Sequence, residues 1–301
     1  MPVKILADSE NIRPIFGKEK PRTMARSKKI MIITFIHHSS FLVETDSLYL
    51  LFDYFRGTLP ELDPAKPLYV LTSHSHSDHY SRKIFSLTDR RMAKGTEGDA
   101  ALVTFLLGHD IDPRDIPPAN CKQTHILQPH ETYQDSLLKV ETLHSTDEGI
   151  AFWCTAADGA ARQQIYHAGD HSNWIWEGTA HNIGFVHMYH EELARIAGRT
   201  ADVAMLSMDP RLDKEFAADW YYKEFPLHRR ADGWMQPRPE KARGWALTIQ
   251  EYMQYADARV IFPMHQWGQF DLTDRFCALK ENAAYADRVV HIKRDGESWE
   301  I

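Results

Sequence analysis

The sequence predicts an α/β protein in which two β-sheets pack face to face and helices cover the outside. Apolar runs rich in β-branched and aromatic residues fall into two groups along the chain, and segments with helical spacing accompany each group. Because each sheet must bury an apolar face, two such groups favour packed layers. The chain has 301 residues and 43% hydrophobic content, which is enough for a core in one large domain or two small ones.

The first group of strands opens with three closely spaced apolar segments. These segments are residues 30–36, 40–45 and 48–53, and the last two are joined by a short turn at Asp46 and Ser47. Three strands so close together predict an antiparallel meander.

A fourth apolar segment, residues 68–72, leads directly into a segment rich in histidine. Residues 81–87 carry apolar side chains three positions apart after Ser81, a suitable N-cap, so a helix is expected there. Residues 100–107 also predict a short helix.

The second group alternates more clearly between strands and helices. Strands are expected at residues 123–127, 136–143, 149–155, 163–167, 201–207, 258–262 and 288–293. Helices are expected at residues 191–197, 241–255 and 275–286. Residues 1–30 are polar and charged with little periodicity, which predicts a peripheral N-terminal extension, flexible or artefactual, before one domain at residues 31–301.

Composition narrows the classes of function. The net charge of −7 and the dispersed basic residues disfavour binding to nucleic acid or to an anionic membrane. Cys121, Cys154 and Cys277 lie far apart, which suits a reducing compartment and gives no disulfide framework. The sequence has no apolar run long enough for a membrane span and no secretory signal, so a cytoplasmic protein is expected.

The segment with the strongest chemical content is Thr72-Ser-His-Ser-His-Ser-Asp-His-Tyr80. It holds four potential metal ligands within six positions: His74, His76, Asp78 and His79. They follow a predicted strand and precede a predicted helix, so the scaffold fixes the backbone while the side chains project from a turn. A solvated loop that happens to be rich in histidine is the alternative, but this pattern directly after a strand favours a metal site.

Three further residues share the position of a potential ligand at the end of a strand. They are His144, Asp170 and His265, and Gly169 would let the backbone turn sharply beside Asp170. A single histidine after a strand is usually a surface residue, so the order of these positions along the chain carries more weight than any one of them.

These segments together resemble the metal motifs of the metallo-β-lactamase superfamily. The resemblance covers residues 31–301 and implies an αββα sandwich of two mixed β-sheets with helices outside. It also implies two metal ions. One would take His74, His76 and His144, the other would take Asp78, His79 and His265, and Asp170 would bridge them.

The implied function is hydrolysis by a dinuclear site with zinc as the expected metal, although manganese or iron would suit the same ligands. A metal-bridging hydroxide would attack a small anionic ester, lactone or phosphodiester, with Asp170 and Asp78 as the catalytic carboxylates. The di-iron branch of the superfamily has a glutamate where this chain has His76, which favours zinc. The alternatives are an iron-dependent oxidoreductase or dioxygenase on the same fold, and a non-catalytic metal-binding protein.

Four other residues have two interpretations each. Asp53 would orient a ligand ring or form a turn, and His38 would line the mouth of the site or be an ordinary turn histidine. Glu148 would act as a general acid or orient His144. Arg211 would clamp an anionic substrate or pair with a neighbouring aspartate, Asp209 or Asp213.

A narrower resemblance concerns residues 145–152, 166–178 and 208–211. They are similar to small bacterial metallo-hydrolases of unassigned substrate near the ascorbate-phosphate lactonase branch. The expected partner is a small-molecule substrate. Trp174, Trp176 and Trp267 flank ligand segments and are candidates for the wall of the cleft, whereas the aromatic residues 220–222 leave a homo-oligomer open.

Overall fold

The computed structural model describes residues 4–5, 31–88, 103–159, 161–174, 180–212 and 244–301. These residues form two β-sheets of eight and six strands that pack against each other. Both sheets mix parallel and antiparallel strands, which confirms the predicted sandwich of two mixed sheets. The division at residue 30 stays a prediction, because only Lys4–Ile5 of the expected extension is described.

The first sheet has the strand order β1-β14-β2-β3-β4-β5-β6-β7. Its strands are β1 Lys4–Ile5, β2 Ile32–His37, β3 Ser40–Glu44, β4 Tyr49–Phe52, β5 Leu68–Thr72, β6 Val103–Gly108, β7 Thr124–Leu127 and β14 Ser298–Glu300. Strands β2, β3 and β4 form the predicted antiparallel meander. From β4 to β7 the strands run parallel.

The second sheet has the strand order β13-β12-β11-β10-β9-β8. Its strands are β8 Thr132–Gln134, β9 Leu138–His144, β10 Ile150–Asp158, β11 Ala161–His167, β12 Thr200–Ser207 and β13 Asp257–Met264. Strands β8 to β11 are antiparallel, whereas β11, β12 and β13 are parallel.

Three α-helices accompany the described strands: α1 Ala180–Arg195, α2 Gly244–Tyr255 and α3 Asp271–Cys277. The helix predicted at 191–197 begins earlier than expected, and the one predicted at 275–286 ends at Cys277 before a short 3₁₀ segment at Lys280–Asn282. The helix predicted at 81–87 is present as a 3₁₀ turn at Arg82–Phe85, capped by Ser81, that continues as α-helix at residues 86–88. No helix in these described ranges is long and apolar enough to cross a bilayer.

Two predictions of secondary structure are wrong. Residues 103–108, expected in a helix, form β6 between two parallel neighbours, because a run of apolar residues buried on both faces satisfies its backbone inside the sheet. The terminal strand expected at 288–293 lies instead at Ser298–Glu300, paired with β2. Val289, Val290 and Ile292 are buried. These residues are hydrophobic because they pack in the core, and they do not form a regular β-ladder.

Aromatic side chains hold the two sheets together. Phe52 of the first sheet lies 6.2 Å from Phe152 of the second, and Phe41 lies 5.8 Å from Phe262, measured between ring centroids. All four are fully buried. Burying one such ring stabilises the fold by roughly 1.5–3 kcal/mol relative to leaving it exposed. On the outer face of the second sheet, Tyr252 of α2 stacks on Tyr166 at 5.1 Å.

Candidate metal centre

The site lies where five strands of the two sheets end. Asp53 follows β4, His74 follows β5, Asp170 follows β11, Asp209 follows β12 and His265 follows β13. All five strands belong to parallel pairs, and the carboxyl ends of parallel strands meet at one edge of a sheet. Packing the two sheets face to face brings the two edges together.

The backbone at the site adopts conformations that few side chains tolerate. His38, Asp53 and His265 have φ of 55°, 44° and 60°, in the left-handed region. Strained backbone of this kind is found mostly at functional sites, where surrounding contacts maintain it. At these three residues the left-handed conformation makes the backbone turn sharply next to a strand end.

Seven side chains form two adjacent groups of potential ligands. Within each group the ligand atoms lie within 4.8 Å of one another. We define the open group as His74, His76 and Asp170, and the buried group as His38, Asp78, His79 and His265. Six of the seven ligands expected from the sequence are thereby brought together, and His38 joins them.

Asp170 lies between the two groups and faces both. Its Oδ1 is 3.1 Å from Nε2 of His79 and 3.4 Å from Nε2 of His265. Its Oδ2 is 3.7 Å from Nε2 of His74. One carboxylate therefore presents a separate oxygen to each group, as a bridging ligand requires.

Within the described residues, the polar atoms that face the centre have no regular hydrogen bond and contact one another instead. Nε2 of His38, His74, His79 and His265 and Oδ1 of Asp170 are buried without a hydrogen bond. Leaving buried polar atoms unpaired costs roughly 1–3 kcal/mol each. Imidazole nitrogens and carboxylate oxygens are the ligands that divalent zinc, manganese and iron accept, so the residues fit a metal centre.

The opposite nitrogen of three of these imidazole rings is held by a neighbouring side chain. Nδ1 of His79 lies 2.7 Å from Oδ2 of Asp53, and Nδ1 of His265 lies 2.9 Å from Oδ2 of Asp209. Nδ1 of His74 lies 2.9 Å from Oγ of Ser73. These contacts orient the rings so that Nε2 faces the centre in each case.

Asp53 is fully buried and connects two strand ends. It accepts hydrogen bonds from the backbone N–H of Ser73 at 2.7 Å and from the Ser73 hydroxyl at 2.8 Å, besides its contact with His79. Burial acts to raise the pKa of Asp53, but His167 and His79 lower it below its ordinary value. Asp53 thus lies in the turn and also orients the ring of His79. The two roles considered from the sequence are therefore compatible.

The charges within the centre stabilise one another. Burial acts to raise the pKa of Asp170, but His79 and His265 lower it well below its ordinary value. Burial acts to lower the pKa of His79, whereas Asp170 and Asp53 raise it well above. The carboxylate of Asp170 is therefore ionised and able to act as a ligand.

His38 sits inside the buried group and not merely at its mouth. Its Nε2 is 3.4 Å from Oδ2 of Asp78, and its ring centroid is 4.2 Å from that of His265. Burial lowers the pKa of His38 to about 4, so the ring is neutral at pH 7. A neutral imidazole whose Nε2 faces the other potential ligands has the character of a ligand.

His144 lies in neither group within the described part of the chain. Its backbone N–H donates to Oε2 of Glu192 at 3.0 Å. Burial lowers the pKa of the His144 ring, and the charged groups that act on it are Glu192, His109 and His130. The ligand that the resemblance implied is thus surrounded by a different set of residues.

Arg211 forms the ion pair that the sequence offered as its second interpretation. Its Nε lies 3.0 and 2.8 Å from the two carboxylate oxygens of Asp209, while Asp213 is outside the described residues. The guanidinium lies 5.1 Å from the ring centroid of Trp267. Arg211 therefore supports Asp209, which in turn orients His265. Glu148 is exposed in the turn after His144.

Two residues with clear contacts at the centre were not given these roles from the sequence. Ser73 holds His74 and Asp53, and Asp209 holds His265. Asp209 stands two residues after a buried strand, the same signal that identified Asp170 and His265. Ser73 carries no signal of its own, because serine beside a histidine is common in loops.

A cleft of about 860 Å³ opens beside the buried group. His38 and Asp78 lie on its inner side, and Phe55 and Trp267 contribute apolar surface. Arg56, Lys293, Arg294 and Asp295 are among its charged residues. Trp174 is buried and donates from Nε1 to the carbonyl of Asp170 at 3.0 Å, and Trp176 is outside the described residues.

The chain is similar to proteins of known families. The model of the beta-lactamase superfamily domain matches residues 32–214, more than half of the chain. A metal-dependent hydrolase from Pyrobaculum calidifontis is 26% identical over 230 residues, covering 72% of this chain and 93% of that relative. A metal-dependent hydrolase from Desulforamulus reducens is 28% identical over 155 residues, covering 46% and 62%.

Two solved structures share the fold. Igni18, a metallo hydrolase from Ignicoccus hospitalis, has a TM-score of 0.52 at 16% identity and covers 90% of this chain and 98% of its own. YhfI, a metallo-beta-lactamase fold protein from Bacillus subtilis, has a TM-score of 0.51 at 16% identity, covering 91% and 100%. At these identities the likeness concerns the fold alone.

Proposed function

Because the chain belongs to the beta-lactamase superfamily, we propose that it is a metal-dependent hydrolase with a dinuclear centre and zinc as the expected metal. The observation that carries the proposal is the position of Asp170 between two groups whose buried inward atoms contact one another but have no regular hydrogen bond to a described residue. The metal-dependent hydrolases among its relatives support the same reaction class.

In this proposal His74 and His76 would hold one ion, Asp78, His79 and His265 would hold the other, and Asp170 would serve both. Bound divalent ions would supply a water of lowered pKa, near 7, and would polarise the oxygen of the scissile group. Asp53, Asp209 and Ser73 keep the three imidazole rings in place by contacts at Nδ1. Asp170, between the two groups, could take the proton of the attacking hydroxide and pass it to the leaving oxygen, and Asp78 faces the cleft.

The residues that line the cleft support the proposal that the substrate is a small anionic molecule, namely an ester, a lactone or a phosphodiester. Arg56, Lys293 and Arg294 line it together with two carboxylates, Asp78 and Asp295, so positive side chains are in excess there in a chain whose net charge is −7. Guanidinium groups suit carboxylates and phosphates because they can donate two hydrogen bonds at once. Phe55 and Trp267 offer apolar surface for the remainder of such a molecule.

The proposal is tested by turnover of a phosphodiester and of a lactone, with metal-loaded wild type beside Asp170→Ala. The lactone is included because of the resemblance to the ascorbate-phosphate lactonase branch. We expect turnover in the wild type that a chelator abolishes and that added zinc restores, and none above background in the variant. Turnover that survives both the chelator and the substitution would refute a metal-dependent mechanism.

A further inference from the structure

The turn after β9 is fixed against the strand that carries the histidine-rich segment. The N–H of Ile150 donates to the carbonyl of Ser73 at 3.0 Å. A Cβ on Gly149 would lie 2.1 Å from that carbonyl oxygen and 2.6 Å from Cβ of His74. Only glycine allows this approach, and its φ of +68° also favours glycine.

The same turn is attached to the segment that follows Asp170. The hydroxyl of Thr146 donates to the carbonyl of Ser172 at 2.7 Å and accepts from the N–H of Ser172 at 2.8 Å. Residue 147 therefore lies between two fixed positions. Thr146 on one side is bound to Ser172, and Ile150 on the other side is bound to Ser73. Its position is set by the fold and not by a free loop.

Asp147 faces the open group from this turn. Its Oδ2 is 4.0 Å from Nδ1 of His76. Partial burial and the carboxylate of Asp170 raise the pKa of Asp147, while His76 and Arg211 lower it. The charged groups that act on Asp147 are Asp170, His76, Glu148 and Arg211, whereas those that act on His144 are Glu192, His109 and His130.

The open group needs another protein ligand. A catalytic zinc ion takes three protein ligands and keeps one position for water or substrate. His74 and His76 supply two, and Asp170 is shared with the buried group, so an unshared third ligand is missing. Oxygen and nitrogen ligands lie about 2.0–2.2 Å from zinc, so two ligand atoms of one ion are at most about 4.4 Å apart. The 4.0 Å between His76 and Asp147 lies within that limit. Asp147, like His144, is not among the side chains whose ligand atoms all lie within 4.8 Å of one another, so it would complete the set by a rotation of its partly exposed side chain.

We propose that Asp147, and not His144, completes the ligand set of the ion held by His74 and His76. This inference rests on the proposed dinuclear centre. It adds to that proposal the residue that would complete the ligand set of the open group. Aspartate supplies a negative oxygen ligand from the exposed side of the site, where its side chain is 43% exposed and that of His76 is 47% exposed. The open group would then consist of two histidines and two carboxylates.

The test measures metal binding without substrate. Metal-free wild type, Asp147→Asn, Asp147→His, Glu148→Gln and His144→Gln are titrated with Co²⁺, followed by its visible absorption, and with Zn²⁺, followed by metal content after gel filtration. Asparagine preserves the shape and hydrogen bonding of the turn but is a poor ligand, whereas histidine can ligate. Glu148→Gln is the matched control, because it removes a neighbouring carboxylate in the same turn. Circular dichroism of the metal-free proteins checks that each variant folds.

We expect two ions in the wild type and in Glu148→Gln and His144→Gln. Asp147→Asn should bind one ion as the wild type does and the other at least about tenfold more weakly, since even an outer partner of a ligand contributes 10–100-fold. Asp147→His should recover most of that loss. Wild-type affinity at both positions in Asp147→Asn, or loss of an ion in His144→Gln, would overturn the inference.

Failure of the proposed function gives a different result. A wild type that binds no metal would refute both the dinuclear centre and the role of Asp147. A wild type that binds two ions but hydrolyses no tested ester, lactone or phosphodiester would count against hydrolysis, while the comparison of variants would still decide which residue is the ligand.

Discussion

The two ligand groups are adjacent and come partly from the same hexapeptide, yet they differ in how firmly they are held. In the buried group, the side chains of His79 and His265 are at most 1% exposed, and each ring is bound by a buried carboxylate, Asp53 or Asp209. In the open group, His74 is buried but is oriented by a hydroxyl, and His76 is 47% exposed.

This difference indicates that the two groups have different roles in the proposed centre. Rings held by charged, buried partners lose little freedom when they bind an ion, so the buried group should bind metal more tightly. In the proposed centre the open group would hold its ion by fewer rigid contacts, whereas the cleft for the substrate lies beside the buried group. Asp170 belongs to both and would couple them.

Removal of metal should reveal this asymmetry most strongly. A ligand at 1,000 times its Kd stabilises the folded state by about 4.1 kcal/mol, so each ion should raise the melting temperature of the chain. We expect a chelator to remove one ion first with a small fall in melting temperature, and the second more slowly with a larger fall. Calorimetry with metal analysis at each step measures both stages. Simultaneous loss of the two ions would contradict the asymmetry.

The glycine between Asp147 and β10 tests whether the open group depends on the close contact of its turn. Gly149→Ala should destabilise the fold by more than about 3 kcal/mol, because the new Cβ would overlap the carbonyl of Ser73. Gly198→Ala is the control, since Gly198 has a φ of +75° but nothing within 4 Å of the added atom. Its cost should be about 1 kcal/mol from the backbone alone.

Denaturant unfolding of the two glycine variants gives the free energies directly. Equal costs would mean that the left-handed backbone, and not the contact with Ser73, determines the requirement for glycine at position 149.

The carboxylate partners of the buried group are expected to have a smaller effect. Asp53→Asn should weaken binding of the ion at His79 by 10–100-fold, about 1.4–2.7 kcal/mol, because the amide cannot supply the same charge to Nδ1. Ser73→Ala, which removes the partner of His74, should weaken the open group by less. Competition with a coloured chelator measures each affinity. A larger loss in Ser73→Ala would reverse the proposed order of the groups.

The smallest effect should come from the basic wall of the cleft. Arg56→Ala should raise KM for an anionic substrate by less than about tenfold at low salt with kcat unchanged, as expected for an exposed charge. The difference should shrink at 1 M salt, where screening acts over about 3 Å. Arg259→Ala is a suitable control, because Arg259 is 75% exposed and pairs with Asp202 on the neighbouring strand. An equal change in both variants would indicate a general effect of net charge.

Much of the centre could be predicted because its ligands obey a simple local rule. Asp170 and His265 follow buried parallel strands. The carboxyl ends of such strands lie at the same edge of the sheet, independently of the conformation of the loops between them. The same rule would have identified Asp209. It fails for β6, where an apolar segment of 103–108 fits a helix or a buried strand equally well until its neighbours are known.

The sequence by itself therefore determined the sandwich of two sheets, the meander that opens it and six potential ligands that the structure brings together. Only the tertiary structure decided which side chain in residues 144–148 faces those ligands. That choice depends on the contact of Gly149 with Ser73 and on the hydrogen bonds of Thr146 with Ser172, which join residues far apart in the chain. Spacing along the chain cannot encode it, because His144 and Asp147 both stand near a strand end and only packing fixes the direction of the turn.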